Sequence, residues 1–223
     1  MSEMLIGPRR ARHPRLTKVR SAVLRRLFRA LYGPGARFYD RFTRFAFAGE
    51  WQRWQAAAIP FLPAGGVVVE FGSGTGAFAH AAAAESQAWI ALDISHQMIA
   101  VARRHHRPPA PAFIRASAAA VPLRSGFADA IVMTFPSDFF LSARAADEMR
   151  RILKQDGLLV VVLSGDLYAI GIRRTCTRAV LVVAQGAPGR DTPWVPAIAG
   201  FEGRSVWQPT EYGRALVYVG RRL

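Results

Sequence analysis

Apolar positions first gather into an unbroken run at Val67, Val68 and Val69, opened by Gly65 and Gly66 and followed by Glu70, Phe71 and three alternating glycines. A β-branched run without polar alternation predicts a strand buried on both faces, as at the centre of a parallel sheet. Gly72, Gly74 and Gly76 allow a tight turn and close approach to a ligand, and Ala77 to Glu85 then reads as a helix. The same alternation continues downstream. Trp89 to Leu92 is a strand closed by Asp93, a helix runs through about Arg104, and Ala112 to Ile114 is a third strand. Ala130 to Phe135 is a fourth, Ser142 to Leu153 a helix, and Leu158 to Leu163 a further buried strand. Asp156 and Gly157 are expected to turn the chain before that strand, and Ser164, Gly165 and Asp166 to end it in a loop. Leu167 to Gln185 reads as an apolar, arginine-bearing helix. Val206 to Gln208 and Ala215 to Val219, separated by Pro209 to Gly213, predict a final antiparallel pair.

Ahead of the first strand the pattern is helical. Val19, Val23, Leu24, Leu27, Phe28 and Leu31 recur at helical spacing, while Lys18, Arg20, Arg25, Arg26 and Arg29 fill much of the rest. Gly33 to Gly35 break this amphipathic segment. Ala36 to Phe47 reads as a second helix, and Trp51 and Trp54 belong to a third that runs to Ile59 and stops at Pro60 and Pro63. The organisation expected is a basic tail over 1–15, a helical cover over 16–64 and one α/β domain over 65–223. Its fold would be a Rossmann-like, seven-stranded, mostly parallel sheet with helices on both faces and an antiparallel final pair.

At 223 residues the chain is long enough for one substantial α/β core, with no obvious room for two. The formal charge of +15 matters more, because before Glu50 the only acidic residues are Glu3 and Asp40. Such an arm attracts polyanions, whether phosphate backbones or an anionic membrane face, or it is simply a solvated basic surface. A single cysteine, Cys176, makes neither an intrachain disulfide nor a zinc cluster, so a reducing cytoplasm is expected. No signal peptide or membrane span is visible in the pattern.

The order strand, glycine turn, helix suits a nucleotide-type cofactor. Glu70, at the strand's end, would repel a pyrophosphate but could hold an ammonium. The glycines also lack the dinucleotide spacing, which needs two residues between the second and third. This chemistry favours S-adenosylmethionine over NAD. Asp93 lies about 20 residues past the first glycine, where a carboxylate binds both ribose hydroxyls of an adenosine. Taken alone, the turn could be a plain tight turn and Asp93 a cap on the helix that follows.

With these residues the chain resembles the class I S-adenosylmethionine-dependent methyltransferases from roughly Tyr32 to its C-terminus. Glu70, Gly72, Ser73, Gly74 and Gly76 correspond to the family's first motif and Asp93 to its ribose-binding acid. Ser117 and Ala118 fall where the family often has an acidic residue followed by alanine beside the adenine; serine can still hydrogen-bond there. The segments from Val121 to Met133 and from Arg151 to Val162 also look like the family. By the resemblance, Ile94 packs on the adenosine and Met98 contacts the adenine or the core. Thr134 and Phe135 lie where cofactor and acceptor meet. Tyr39 and Asp40 resemble a Tyr-Asp pair in members that act on quinone precursors or phospholipid headgroups, where that helix covers the cofactor. Tyr39 is then a pocket residue or an ordinary core aromatic. Phe135-Pro136-Ser137-Asp138 departs from the signature of base and glutamine N-methyltransferases, which argues against a nucleobase acceptor.

The expectation is therefore an S-adenosylmethionine-dependent methyltransferase that acts mainly by positioning its acceptor in line with the methyl group, leaving S-adenosylhomocysteine. No catalytic base stands out, and Tyr39, Phe135 and Trp207 are the pocket candidates. For Trp207 and Tyr212 cross-strand packing is the alternative. His96, His105 and His106 have no metal-ligand spacing, so no metal is expected. The acceptor is expected to be a small or lipid-like molecule, with a phospholipid amine or quinone precursor at an anionic membrane surface as alternatives. The location is then cytoplasmic or peripheral at the inner membrane face. The reading from a different class is a basic nucleic-acid-binding protein without catalysis, although basicity alone specifies no such partner.

Overall fold

The computed structural model describes residues 39–47, 49–83, 88–106, 111–168, 175, 177 and 193–223. The expected basic tail, the amphipathic segment before Tyr32, Cys176 and most of the helix expected over 167–185 lie outside the described residues.

Five strands run parallel: β1 (Val67–Phe71), β2 (Ala88–Asp93), β3 (Ala112–Arg115), β4 (Ala128–Thr134) and β5 (Leu153–Leu167). A hairpin of β6 (Phe201–Thr210) and β7 (Gly213–Arg222) completes the sheet, with β7 antiparallel to both neighbours. The strand order is β3-β2-β1-β4-β5-β7-β6. It reverses at β1, and β1 and β4 flank the crevice in which open α/β sheets bind their ligands. The Rossmann-like sheet with a terminal antiparallel pair is thus the fold the pattern predicted.

The helices are α1 (Tyr39–Ala46), α2 (Glu50–Ala56), α3 (Ala77–Ala82), α4 (His96–His105) and α5 (Ala143–Ile152). Alternation along the strands sorts two cores. Val68, Val132, Val160, Val162 and Val217 pack on Trp54 of α2, Phe78 of α3 and Ile99 of α4. Val69, Phe71, Ile131, Met133, Leu159 and Val161 face Ala146, Met149 and Ile152 of α5 on the other side. Both faces are covered, so the central strands carry no polar alternation.

Several boundaries differ from those expected. The third N-terminal helix stops at Ala56, and a single 3₁₀ turn, Ile59–Phe61, carries Pro60. β5 begins at Leu153, and Asp156, with φ 60°, sits within it where the ladder to β4 jumps from Ala128–Leu153 to Ala130–Leu158. The expected turn is therefore an irregularity inside a longer strand. Ser164, Gly165 and Asp166 are not a loop. Past a register shift after Val162 they pair with Leu216, Ala215 and Arg214 of β7. A strand this long can continue because β7 supplies the hydrogen bonds that a free end would lack. Gly165 is required there, since a Cβ would run into the Trp54 indole of α2. Leu167, expected to open a helix, ends this strand. Asp129 pins the sheet's lower edge, accepting from the Val67 N–H at 2.8 Å and from Lys154 Nζ at 2.7 Å.

Candidate active site

The site grows from the end of β1. Gly72, Gly74 and Gly76 all take the left-handed backbone, with φ of 78°, 56° and 78°. Side chains avoid this region, which is why three glycines occur within five residues. The N–H groups of Gly72 and Ser73 both donate to the Leu92 carbonyl of β2, at 2.8 and 2.9 Å. Nothing lies within 4 Å of where a Cβ would stand on Gly72 or Gly74, whereas one on Gly76 would strike Phe113. Two of these glycines leave open space at the turn, and the third seats the following helix.

Asp93 braces the same turn. Its Oδ2 accepts from the Gly74 N–H at 2.9 Å and its Oδ1 from the Ser95 N–H at 2.7 Å. Ser95, not Asp93, caps α4, its hydroxyl accepting from the Met98 N–H. Each carboxylate oxygen has a second lone pair, so two hydroxyls can be bound without breaking the brace. Burial pushes the Asp93 carboxyl above its ordinary range, while the Ser95 and Gly74 N–H groups pull against that shift. Beside it, Ile94 leaves an exposed apolar side chain, 69% accessible.

Glu70 is 1% exposed, on the α2–α4 side of the sheet. Its carboxyl accepts from the Trp89 indole at 3.3 Å. Burial raises its pKa to about 8, the indole lowers it, and the Asp93 charge raises it further. The Ser73 hydroxyl is also buried, with no hydrogen-bond partner among the described residues. A buried acid, an orphaned hydroxyl, an open glycine turn and a carboxylate beside an apolar side chain suit a ligand with an ammonium, a ribose and a flat base. The donor set therefore fits S-adenosylmethionine.

α1 is tied to the same turn. The Thr75 hydroxyl donates to Asp40 Oδ1 at 2.7 Å, and Tyr39, half-buried, precedes that aspartate. His106 at the end of α4 bonds the Thr75 backbone and stacks on His80 of α3 at 4.5 Å. Burial, with the neighbouring His80, holds His106 below the usual imidazole range.

A second group gathers at the end of β4. Thr134 Oγ1 accepts from Gln55 Nε2 of α2 at 3.0 Å. Phe135, with φ 51°, stacks on Trp51 at 4.2 Å and meets Trp54 edge-on at 6.2 Å. Trp51 also stacks on Phe47, at 4.8 Å. The structure thus brings Glu70, the glycine turn, Asp93 and Ile94 together, and sets Thr134 and Phe135 on the neighbouring strand.

It does not bring in every candidate. Met98 is fully buried and belongs to the packed interior. Ser117 and Ala118, half-buried, stay near the site: they follow Ala116, whose N–H donates to the Asp93 carbonyl at 3.0 Å, and form a small turn in which the Ser117 hydroxyl accepts from the Ala119 N–H. Trp207 lies on β6 opposite Leu216, under the Arg214 guanidinium at 4.2 Å, and that guanidinium also pairs with Asp166. Its strand neighbour Val206 packs on the α2 side, so alternation sends Trp207 to the opposite face from Phe135. Thr75, Gln55 and the contact between Trp51 and Phe135 were not anticipated. Trp51 and Gln55 stand four apart on one helix, so a shared face was available as a signal.

Residues 69–161 match a family model described as a methyltransferase domain. No curated protein matches the chain at a significant level. Among solved structures, an S-adenosylmethionine-dependent methyltransferase of Thermotoga maritima is 21% identical, with a TM-score of 0.53, covering 84% of this chain and 98% of its own. A Methanococcus maripaludis protein, provisionally described in the same terms, is 19% identical with a TM-score of 0.57, covering 83% and 92%. For an Aquifex aeolicus methyltransferase dependent on the same cofactor the values are 15%, 0.50, 81% and 93%. At such identities these likenesses speak to the fold. The sheet is that of the class I methyltransferases. With the match over residues 69–161, that fold carries a methyltransferase domain. This favours the catalytic reading over the one of a nucleic-acid-binding protein without catalysis. Among the described residues, no group of His, Cys, Asp and Glu could hold a metal ion.

Proposed function

We propose that the chain methylates a small or lipid-like acceptor by direct in-line transfer, with the acceptor seated at the end of β4. The observation that carries this reading is the adjacency of two groups at the ends of neighbouring strands. One is the braced glycine turn of β1 with Glu70 and Asp93; the other is the aromatic and amide surface formed by Phe135, Thr134, Trp51 and Gln55. S-adenosylmethionine supplies a methyl group on a sulfonium sulfur, and S-adenosylhomocysteine is the product. Glu70 accepts the ammonium, Asp93 the ribose hydroxyls, and Ile94 offers an apolar surface to the base. Docked through Asp40 and Thr75, α1 excludes water from the turn. Positioning supplies most of the rate, since in-line displacement at a methyl group needs little beyond alignment of the acceptor.

A membrane-associated acceptor, such as a phospholipid amine or a quinone precursor, is the narrower form of this reading. Its support is the charge of the N-terminal sequence, which holds two acidic residues before Glu50 against a dense series from Arg9 to Arg44. On this reading the protein works in the cytoplasm or at the inner membrane face. The test is transfer of labelled methyl groups by the purified protein into a whole-cell extract, split afterwards into lipid, small-molecule, protein and nucleic-acid fractions. Label is expected in the lipid or small-molecule fraction and is expected to be lost with Asp93→Asn. Label in protein or nucleic acid would overturn the acceptor assignment.

A further inference from the structure

The acceptor side of the site has a composition that selects among small molecules. Phe135 is the first residue past β4 and sits at φ 51°, a conformation that strains a bulky side chain. Its N–H donates to the Val162 carbonyl at 2.8 Å, and its ring is held by Trp51 and Trp54. An outlier fixed from both sides at a ligand-binding strand end points to a placed ring. Phe47, Trp51 and Phe135 are each half-buried, so aromatic surface remains accessible in this group. Among the described residues, a neutral pair adjoins it: Gln55, one turn on from Trp51, donates to Thr134, which directly precedes Phe135.

Several charges on the adjoining elements are committed. Asp40 holds Thr75, Glu50 holds Thr210 and Arg53, and Asp166 holds Arg214. Arg53 is shared between Glu50 and Glu211. A phosphate headgroup would find the Arg53 guanidinium of α2 already paired. An ammonium could rest on the rings by cation–π attraction, but only in its protonated form, which has no lone pair to accept a methyl group.

We propose that Trp51, Phe135 and Gln55 are specificity-determining residues that select a flat aromatic acceptor carrying one neutral hydroxyl or amine. This rests on the methyltransferase reading and names its substrate class. The acceptor's ring stacks on the face of Phe135 turned away from Trp51, which with Phe47 behind it holds the Phe135 ring in place, and the Gln55 amide oxygen orients the nucleophilic oxygen or nitrogen. As the new O–C or N–C bond forms, the methyl–sulfur bond breaks. Its electron pair stays on sulfur as a thioether, and the acceptor's proton leaves to solvent.

The experiment uses full-length protein loaded with S-adenosylhomocysteine and titrated with phenol, aniline, ethanolamine and glycerophosphoethanolamine, followed by intrinsic fluorescence and calorimetry. Phenol or aniline is expected to bind, and the two aliphatic compounds are not. Trp51→Ala and Phe135→Leu are expected to weaken ring binding roughly tenfold each, with Trp51→Phe restoring most of it. Affinity for S-adenosylhomocysteine should stay within about twofold in all three, which also shows that each variant is folded. Gln55→Leu is expected to lower turnover of the better ring more than its binding. Binding of ethanolamine or its glycerophosphate in preference to the rings, or ring binding indifferent to Trp51 and Phe135, would overturn the assignment alone. Wild-type protein that failed to bind S-adenosylhomocysteine would overturn the methyltransferase reading and this one with it.

Discussion

Glu70 shows how one residue's surroundings decide what it can do. A carboxylate was legible in the sequence as a partner for an ammonium, but its burial was not, because nothing local distinguishes a buried strand-end glutamate from an exposed one. With a single indole donor at 3.3 Å, burial dominates and the acid is held up to about 8. A raised carboxyl contributes stability that is fully present below its unfolded value near 4.5 and is lost as pH rises through the folded value. The ligand-free protein is therefore expected to lose stability between about pH 4.5 and 8, and Glu70→Gln to flatten that slope, as read from Tm across the window. An ammonium placed on Glu70 reverses the balance, so binding of S-adenosylmethionine at pH 7 should release close to one proton. Calorimetry in buffers of different ionisation enthalpy measures that release. No proton release, or an unaltered slope in Glu70→Gln, would show that the residue is charged before the ligand arrives.

At the scale of elements, α2 is a plate with two working sides. Trp51 and Gln55 contact the end of β4, while Glu50 and Arg53 fasten the helix to the tip of the β6–β7 hairpin. Glu50 is 0% exposed, and its Oε2 accepts from the Thr210 hydroxyl at 2.8 Å across 160 residues of chain. Replacing it with alanine leaves the Thr210 hydroxyl without this partner, at a cost of about 2 kcal/mol, while Thr210→Val costs about 1 kcal/mol. In urea denaturation the double variant should cost clearly less than the two together; strict additivity would mean that the contact holds nothing. This attachment was not legible in the sequence, because no periodicity says which distant residue a buried glutamate meets. The strands were legible, since β1, β2 and β4 are apolar runs that periodicity finds unaided. The far end of β5 was not. Ser164-Gly165-Asp166 has loop composition, and only the β7 ladder and the fit of Gly165 against Trp54 explain why it stays extended. Trp207 failed as a pocket candidate for a related reason, since facing is set by strand register, which its own segment does not encode.

For the whole molecule, the imbalance of 30 basic against 15 acidic residues is a physical quantity with consequences of its own. Many described arginines are spoken for: Arg151 by Glu148 and the carbonyls of Val121 and Leu123, Arg103 by the Phe113 carbonyl, Arg214 by Asp166 and the Trp207 ring. The series from Arg9 to Arg29 lies outside the described residues, and its charge follows from the sequence alone. Each Lys or Arg near an anionic bilayer adds about 1 kcal/mol of attraction, screened over roughly 8 Å at physiological ionic strength. Full-length protein should therefore sediment with vesicles of mixed zwitterionic and anionic lipid at low salt, and leave them as salt approaches 0.5 M on the order-of-magnitude scale of that screening. Exchanging Lys18, Arg20, Arg25, Arg26 and Arg29 for glutamine should abolish the sedimentation while S-adenosylmethionine affinity is unchanged, because Glu70, Asp93 and the glycine turn are untouched. Apolar side chains recur through the same segment, which separates two kinds of attachment. Salt-sensitive binding that vanishes with the charges is purely electrostatic, whereas a salt-resistant remainder on neutral vesicles would mean that Val23, Leu24, Leu27 and Leu31 enter the bilayer. Indifference to vesicles under every condition would leave the arm without a membrane role and favour a soluble acceptor, which the aromatic surface at Phe135 can receive without a bilayer.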